Sequence, residues 1–126
     1  MLAKIPPPIK QVSKLLYHLV LDDSSDDSCM FCNGDLRNLI DANTIPKHSA
    51  LVVEPAENNG RHNCVPNTDT IKHFGSIAYI LTGDSNVFIK HLSHATKVND
   101  AHPNAALFAN YRDAFNWSTA QLAVAI

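Results

Sequence analysis

Hydrophobic residues recur at helical spacing through most of this chain. In residues 9–21, IKQVSKLLYHLVL, the apolar positions are three or four residues apart: Ile9, Val12, Leu15, Leu16 and Leu19. This spacing brings them to one face of an α-helix, so the pattern predicts an amphipathic first helix. A shorter helix is predicted over LRNLIDAN, residues 36–43, with Asp35 as its N-cap.

One strand interrupts this helical pattern. The segment SALVV, residues 49–53, is short, ends in two β-branched residues and is stopped by Glu54-Pro55. These features predict a strand. Residues 54–67, EPAENNGRHNCVPN, are rich in turn formers and predict an irregular segment. A loop of this length is unusual in a compact domain unless something holds it in place.

The second half of the chain is predicted to be helical again. Thr68 or Asp69 can cap TIKHFGSIAYIL, where Gly75 suggests a close packing contact. Three more helices are predicted, and the short connection between 70–81 and 86–97 implies that these two helices form an antiparallel pair. The predicted segments are 70–81, 86–97, 104–115 and 119–126, the last capped by Ser118.

The predicted fold is therefore mainly α: a small helical domain of about five helices with at most a short strand. We expect residues 1–126 to form a single domain, with residues 22–28 as an acidic loop within it. Hydrophobic residues make up 45% of the chain and charged residues 17%, a composition that excludes a disordered chain.

Charge and cysteine content narrow the class of protein. The formal net charge is −2, which argues against a general nucleic-acid binder because such proteins carry a basic face. No apolar run reaches the ~18 residues of a membrane span. The chain has 3 cysteines, an odd number that does not suit a framework of disulfides. These features predict an intracellular protein of the cytoplasm or nucleus.

The segment CMFCNG carries the clearest chemistry. Cys29 and Cys32 have the spacing with which two thiolates bind one Zn²⁺ ion. Asn33-Gly34 is a strong turn pair, and such a turn directs backbone N–H groups toward the sulfur atoms. The segment therefore resembles half of a structural zinc site in both spacing and residue type.

The segment HNC supplies candidates for the other half of that site. His62 and Cys64 are two positions apart, so in an extended segment both side chains point to the same side. With Cys29 and Cys32 they make a Cys₃His set, the four ligands that a structural zinc needs. His48 is an alternative to His62 as the fourth ligand. The zinc would then staple the irregular loop to the short helix.

Other interpretations of the cysteines remain open. Free cysteines pack as small hydrophobic side chains, and Cys29 and Cys32 could form a disulfide in an oxidised preparation. A redox-active pair is disfavoured, since it needs a βαβ context and the preceding aspartates raise a thiol pKa. His73, His91 and His94 could form a second metal site, although a packing role suits His91 better because Phe88 and Leu92 flank it.

Catalysis is not expected from this sequence. It has no HExxH motif, no deaminase motif and no glycine-rich phosphate loop. The predicted function is instead that of a small zinc-stabilised regulatory module that binds a protein, such as an adaptor, an inhibitor or a viral accessory protein. A zinc-dependent or thiol enzyme is a weaker hypothesis.

Two further interactions are weighed beside the protein partner. A nucleic-acid-binding regulator is the alternative function, and it would need the basic side chains to converge on one face: Lys4, Lys10, Lys14, Arg37, Lys47 and Arg61. Self-association is a hypothesis because the chain ends on the apolar residues Leu122, Val124 and Ile126. The acidic run in residues 22–27 is the candidate contact for a basic partner.

Overall fold

The protein is an α/β structure built on a five-stranded mixed sheet. The computed structural model describes residues 9–21, 35–55, 68–81 and 95–124. The strands are β1 (Ile9–Ser13), β2 (Leu16–Leu21), β3 (Ala50–Pro55), β4 (Ser76–Ile80) and β5 (Ala105–Phe108). The helices are α1 (Asp35–Asp41), α2 (Thr68–Lys72), α3 (described over residues 95–101) and α4 (Tyr111–Val124). The predicted mainly α, helical fold is therefore wrong.

The strands lie in the sheet in the order in which they occur in the chain, β1-β2-β3-β4-β5. β1 and β2 form an antiparallel hairpin, and β2 to β5 are parallel. Parallel β–α–β connections are right-handed. Because the strand order never reverses, successive connections lie on the same face of the sheet. Residues of α1, α2 and α3 accordingly share one core cluster: Leu36, Ile71 and Val98.

The sheet separates two hydrophobic cores. On the face covered by α1, α2 and α3, alternate strand residues are fully buried, among them Tyr17, Leu51, Val53, Ile77 and Tyr79. On the other face, their sequence neighbours pack against α4: Leu16, Ala50, Val52, Ala78 and Ile80. Strands buried on both faces must be apolar at nearly every position, which is typical of parallel sheets.

This double burial explains why the predicted first helix is a hairpin. In β2, Leu16, Tyr17 and Leu19 are each at most 1% exposed. A strand buried on both faces gives a continuous apolar run, and such a run also satisfies helical spacing. The hairpin turn at Lys14-Leu15 contains no glycine or asparagine, so the sequence lacks the usual signal for it.

The predicted helix over 70–81 divides at Gly75. Residues Thr68–Lys72 form α2. Residues Ser76–Ile80 form β4, and all five residues of this strand are buried. The predicted close contact at Gly75 is confirmed, because a Cβ there would lie 2.7 Å from the carbonyl oxygen of His48. The contact joins the turn before β4, which contains Gly75, to the turn before β3, which contains His48, and does not join two helices.

The last third of the chain also differs from its prediction. The segment 104–115 contains β5 and the first residues of α4, and residues 119–124 of the predicted final helix belong to α4. Ser118 lies buried inside α4 and caps nothing. Asn110 is the cap, since its Oδ1 accepts the N–H of Asp113 at 2.9 Å. Leu122 packs against the core beneath α4.

Two local predictions are confirmed. α1 overlaps the predicted helix 36–43. β3 overlaps the predicted strand 49–53 but continues through Glu54 and Pro55, the residues predicted to stop it. α1 ends where Asn43 adopts a positive φ of 61°, with Thr44 N–H donating to the carbonyl of Leu39 at 3.0 Å. Of the predicted helix 86–97, residues 86–94 lie outside the described residues. None of the helices in the described ranges has both the length and the apolar character needed to cross a bilayer.

Candidate functional site

The parallel strands β2 and β3 end together, at the carboxyl edge of the sheet. Their last paired residues are Leu21 and Pro55. Neighbouring strands are ~4.8 Å apart, so the chain leaves the sheet after β2 and after β3 at almost the same place. Segments that follow these two strands therefore start side by side at this edge.

A titratable pair lies on the α4 face close to that edge. The Nε2 atom of His18, in β2, is 2.9 Å from Oε1 of Glu54, near the end of β3. An ionised carboxylate can only accept, so Nε2 carries the hydrogen and donates it. The side chains are 18% and 33% exposed, which makes this pair partly accessible to solvent. His18 is on the α4 face because side chains alternate along a strand, and Leu16, two positions before it, packs on that face.

Tyr111, the first residue of α4, completes this cluster. Its ring centroid lies 4.7 Å from that of His18, with the planes tilted by 49°. Burial raises the pKa of the Tyr111 phenol, and the negative charge of Glu54 raises it further. Tyr111 therefore stays protonated at neutral pH. The cluster brings together a carboxylate, an imidazole and a phenol, which can exchange protons and hydrogen bonds with a bound molecule.

Sequence reasoning missed this cluster because it depends on strand pairing. While residues 9–21 are taken as a helix, nothing relates His18 to Glu54, which lies 36 positions away. The available signal was the apolar run around His18, which also fits a strand buried on both faces. A polar residue within such a run commonly has a partner on a neighbouring strand.

The predicted zinc ligands are outside the described residues. Cys29, Cys32, His62 and Cys64 all belong to the segments that follow β2 and β3, as does the acidic run 22–28. His91 and His94 also lie outside. Within the described ranges, no three histidine, cysteine, aspartate or glutamate side chains are close enough to hold a metal ion. The alternative ligand His48 is described, and it precedes β3 at the amino edge, the opposite end of the strand.

Two histidines at the amino edge hold turns together. His73 Nε2–H donates to the carbonyl of Ile45 at 2.9 Å. His102 is 7% exposed, and its Nε2–H donates to the carbonyl of Phe74 at 2.7 Å. Its Nδ1 accepts the N–H of Asn104 at 2.8 Å, so the buried ring is neutral with both nitrogens used. These contacts give His73 and His102 structural roles.

His48 has an unusual backbone conformation at the same edge. Its φ is 70°, in the left-handed region that costs a residue with a side chain ~1 kcal/mol or more. The N–H of His48 donates to the carbonyl of His73 at 3.0 Å, and Gly75 lies close to the carbonyl of His48. The neighbouring turns therefore hold His48 in this conformation.

The described basic side chains lie on both faces of the sheet. Lys10 pairs with His18 across the hairpin and shares the α4 face. Arg37 and Lys47 line a groove between α1 and α2, on the opposite face. Arg37 is also paired with Asp41, with Nε and Oδ1 3.2 Å apart. Lys10 thus lies apart from Arg37 and Lys47, while Lys72 lines the same groove as those two cations.

Comparisons with known proteins add no functional information. No family model matches the chain, and no curated protein or solved structure matches it significantly. Any function must therefore be argued from the residues themselves.

Proposed function

We propose that this protein is a small zinc-stabilised module that binds a protein partner at the carboxyl edge of its parallel sheet. The observation that carries the proposal is the pairing of Leu21 with Pro55 at the end of β2 and β3. Cys29 follows Leu21 by eight positions, and His62 follows Pro55 by seven. A chain spans up to ~3.3 Å per residue, so both ligand pairs can reach one ion from these adjacent exits.

The same topology favours His62 over His48 as the fourth ligand. His48 lies before the six-residue strand β3, whereas both cysteine-bearing segments follow the far end of β2 and β3. Six strand residues cover ~20 Å. The proposed ligands are therefore Cys29, Cys32, His62 and Cys64, which would hold structural Zn²⁺ in a tetrahedral Cys₃His site.

Binding, rather than catalysis, suits the described chemistry. His18 bonds a carboxylate, while His73 and His102 bond backbone atoms. The acidic run 22–27 directly follows β2, so the proposed partner is a protein with a basic surface. The nucleic-acid alternative is less favoured, because the net charge is −2 and Lys10 lies on the face opposite Arg37 and Lys47. A Cys₃His site needs reduced thiols, so we propose an intracellular location, cytoplasm or nucleus.

Metal analysis of the reduced protein tests the zinc site. We expect one equivalent of zinc, and a Co²⁺-substituted protein with the thiolate charge-transfer absorption of a cysteine-rich site. Cys29→Ser, Cys32→Ser, Cys64→Ser and His62→Ala should each weaken metal binding. His48→Asn and His73→Gln are the controls and should keep the metal. Metal-free protein with an unchanged melting temperature would end the zinc proposal.

The partner proposal has its own test. Binding to an immobilised lysine-rich protein should require zinc and should fall when Asp22, Asp23, Asp26 and Asp27 are changed to asparagine. A protein that keeps its zinc but binds equally well without these aspartates would refute the docking role of the acidic run and leave the zinc site standing.

A further inference from the structure

The two outer strands of the sheet differ in how well they are protected against the addition of another strand. These outer strands are β1 and β5. On β1, Lys10 is exposed, and the pairing with β2 shifts register between Gln11 and Ser13. A lysine and a bulge are features with which proteins prevent strand addition. β5, with the sequence AALF, has no charged residue and no proline, and its pairing with β4 is regular.

The backbone of β5 has hydrogen-bonding groups directed away from the sheet. The carbonyl of Asn104 accepts the N–H of Ile77 at 3.1 Å, and the carbonyl of Phe108 accepts an N–H from the residue after β4 at 2.9 Å. Successive residues of a strand direct their backbone groups to opposite sides, so those of Ala105 and Leu107 point away from β4. Among the described residues, no strand pairs with β5 on that outer side.

Leu107 adds an apolar side chain to the outer strand. It is 43% exposed, and the described part of the chain leaves no other large hydrophobic side chain exposed to this degree. Ala105, two positions earlier, shares its face of the sheet, whereas Ala106 lies on the other face with Phe108, which packs toward α4. Free backbone groups beside an exposed apolar side chain are the arrangement to which a further β-strand binds.

β5 is self-complementary toward a second, antiparallel copy of itself. A two-fold axis beside Ala106 places Ala105 opposite Leu107 of the second copy, and the symmetry repeats this pair. The paired residues direct their backbone groups toward each other, so they exchange both of their N–H···O bonds. Ala106 then faces its own equivalent in a pair whose Cα atoms are ~4.5 Å apart, a separation that suits a small side chain. This register brings no like charges opposite each other.

We propose that the protein associates with a second copy through β5, so that the two sheets become one continuous sheet. A second copy is favoured as the occupant because β5 itself supplies every group that the pairing needs. An interface centred on two short strands is small, so the dimer is reversible. The association uses neither zinc nor the segments that follow β2 and β3. It also differs from association through the C-terminal residues, of which Leu122 packs against the core.

Sedimentation equilibrium of the full-length, reduced protein tests the association. We expect the weight-average mass to rise with protein concentration toward that of a dimer and to fall again on dilution. Leu107→Lys should weaken the dimer at least about tenfold, because it places a charge from each copy at the interface. Ser13→Lys adds the same charge at an exposed position of β1 and is the matched control, which should associate as the parent does. Because Leu107 is already exposed, Leu107→Lys should keep the melting temperature of the dilute parent.

A designed cross-link tests the register. Cα atoms ~4.5 Å apart are within the range of a disulfide, so Ala106→Cys should oxidise to a covalent dimer. Peptide mapping should place the bond between the two introduced sulfurs and separate it from bonds of the native cysteines. Ala109→Cys, at an exposed position after β5, is the control. In the proposed register its two introduced sulfurs are ~20 Å apart along the strands and should not join.

Three results would overturn the proposal. The first is a monomer at every concentration, which would leave β5 free for a strand from a different protein. The second is a dimer that Leu107→Lys leaves unchanged, because association would then use another surface. The third is a covalent dimer of Ala109→Cys in place of Ala106→Cys, which would contradict the two-fold axis beside Ala106.

Discussion

The imidazole of His18 and the carboxylate of Glu54 meet at 2.9 Å across two parallel strands. The pair is partly exposed, so water screens it and its net contribution to stability is limited to ~1 kcal/mol. We expect a double-mutant cycle with His18→Ala and Glu54→Ala, measured by urea unfolding, to give a coupling energy of about 0.5–1 kcal/mol. Additive effects of the two substitutions would contradict this contact.

The protein should lose stability at alkaline pH through two tyrosines. Burial raises the pKa of Tyr17, and burial together with Glu54 raises that of Tyr111, both from 10.0. A folded-state pKa above the unfolded value contributes stability below pH 10.0, and this stability is lost as pH rises through the folded pKa. Ultraviolet titration should detect late ionisation, and Glu54→Gln should lower the pKa of Tyr111. An unchanged Tyr111 titration in that variant would rule out the effect of Glu54.

Gly75→Ala should destabilise the fold. The added methyl group would lie 2.7 Å from a backbone oxygen of His48, which cannot rotate away. We expect a loss of about 1–3 kcal/mol in the free energy of unfolding, the range for overpacked sites. Asn116→Ala, at an exposed position of α4, is the control and should change stability by less than about 0.5 kcal/mol.

Ser118→Ala should stabilise the protein. The Ser118 side chain is fully buried in α4, and in the described structure its hydroxyl has no hydrogen-bond partner. Alanine removes this uncompensated polar group and has a higher helix propensity, so we expect a gain of about 0.5–1 kcal/mol in thermal or chemical unfolding. The neighbouring Thr119→Ala, exposed and bonded to the Phe115 carbonyl, should be close to neutral. A destabilised Ser118→Ala would mean that the hydroxyl has a partner.

Nucleic-acid binding should be weak even at low salt. The net charge is −2, and Lys10 lies on the face opposite Arg37 and Lys47, so Lys10 cannot join those two on one phosphate backbone. We expect no retention of a labelled duplex in a gel-shift assay at low ionic strength. Tight binding that falls steeply with added salt would revive the nucleic-acid hypothesis.

The elements that could be predicted from sequence are those with local signals. α1 has a periodic apolar face and an asparagine where it ends, and β3 contains a short apolar run with two β-branched residues, Val52 and Val53. β4 and β5 have no such signal, because Ala78, Ala105 and Ala106 favour helices and were placed in strands by tertiary contacts. The apolar run of β2 fits a helix and a doubly buried strand equally well.

The candidate sites divide in the same way. Cysteine spacing is readable from sequence, so the proposed zinc ligands could be named before the fold was known. The His18–Glu54 contact depends on strand register, because it joins residues from separate segments of the chain. No local pattern encodes such contacts.

The agreement between strand order and chain order bears on how the protein is made. Each strand from β2 onward pairs with the strand synthesised just before it. A nascent chain leaving the ribosome can therefore form the hairpin first and add β3, β4 and β5 one at a time to an existing edge, without waiting for a distant partner. α4, which follows β5 in the chain, then covers the face of β3 and β4 that vectorial assembly has left open.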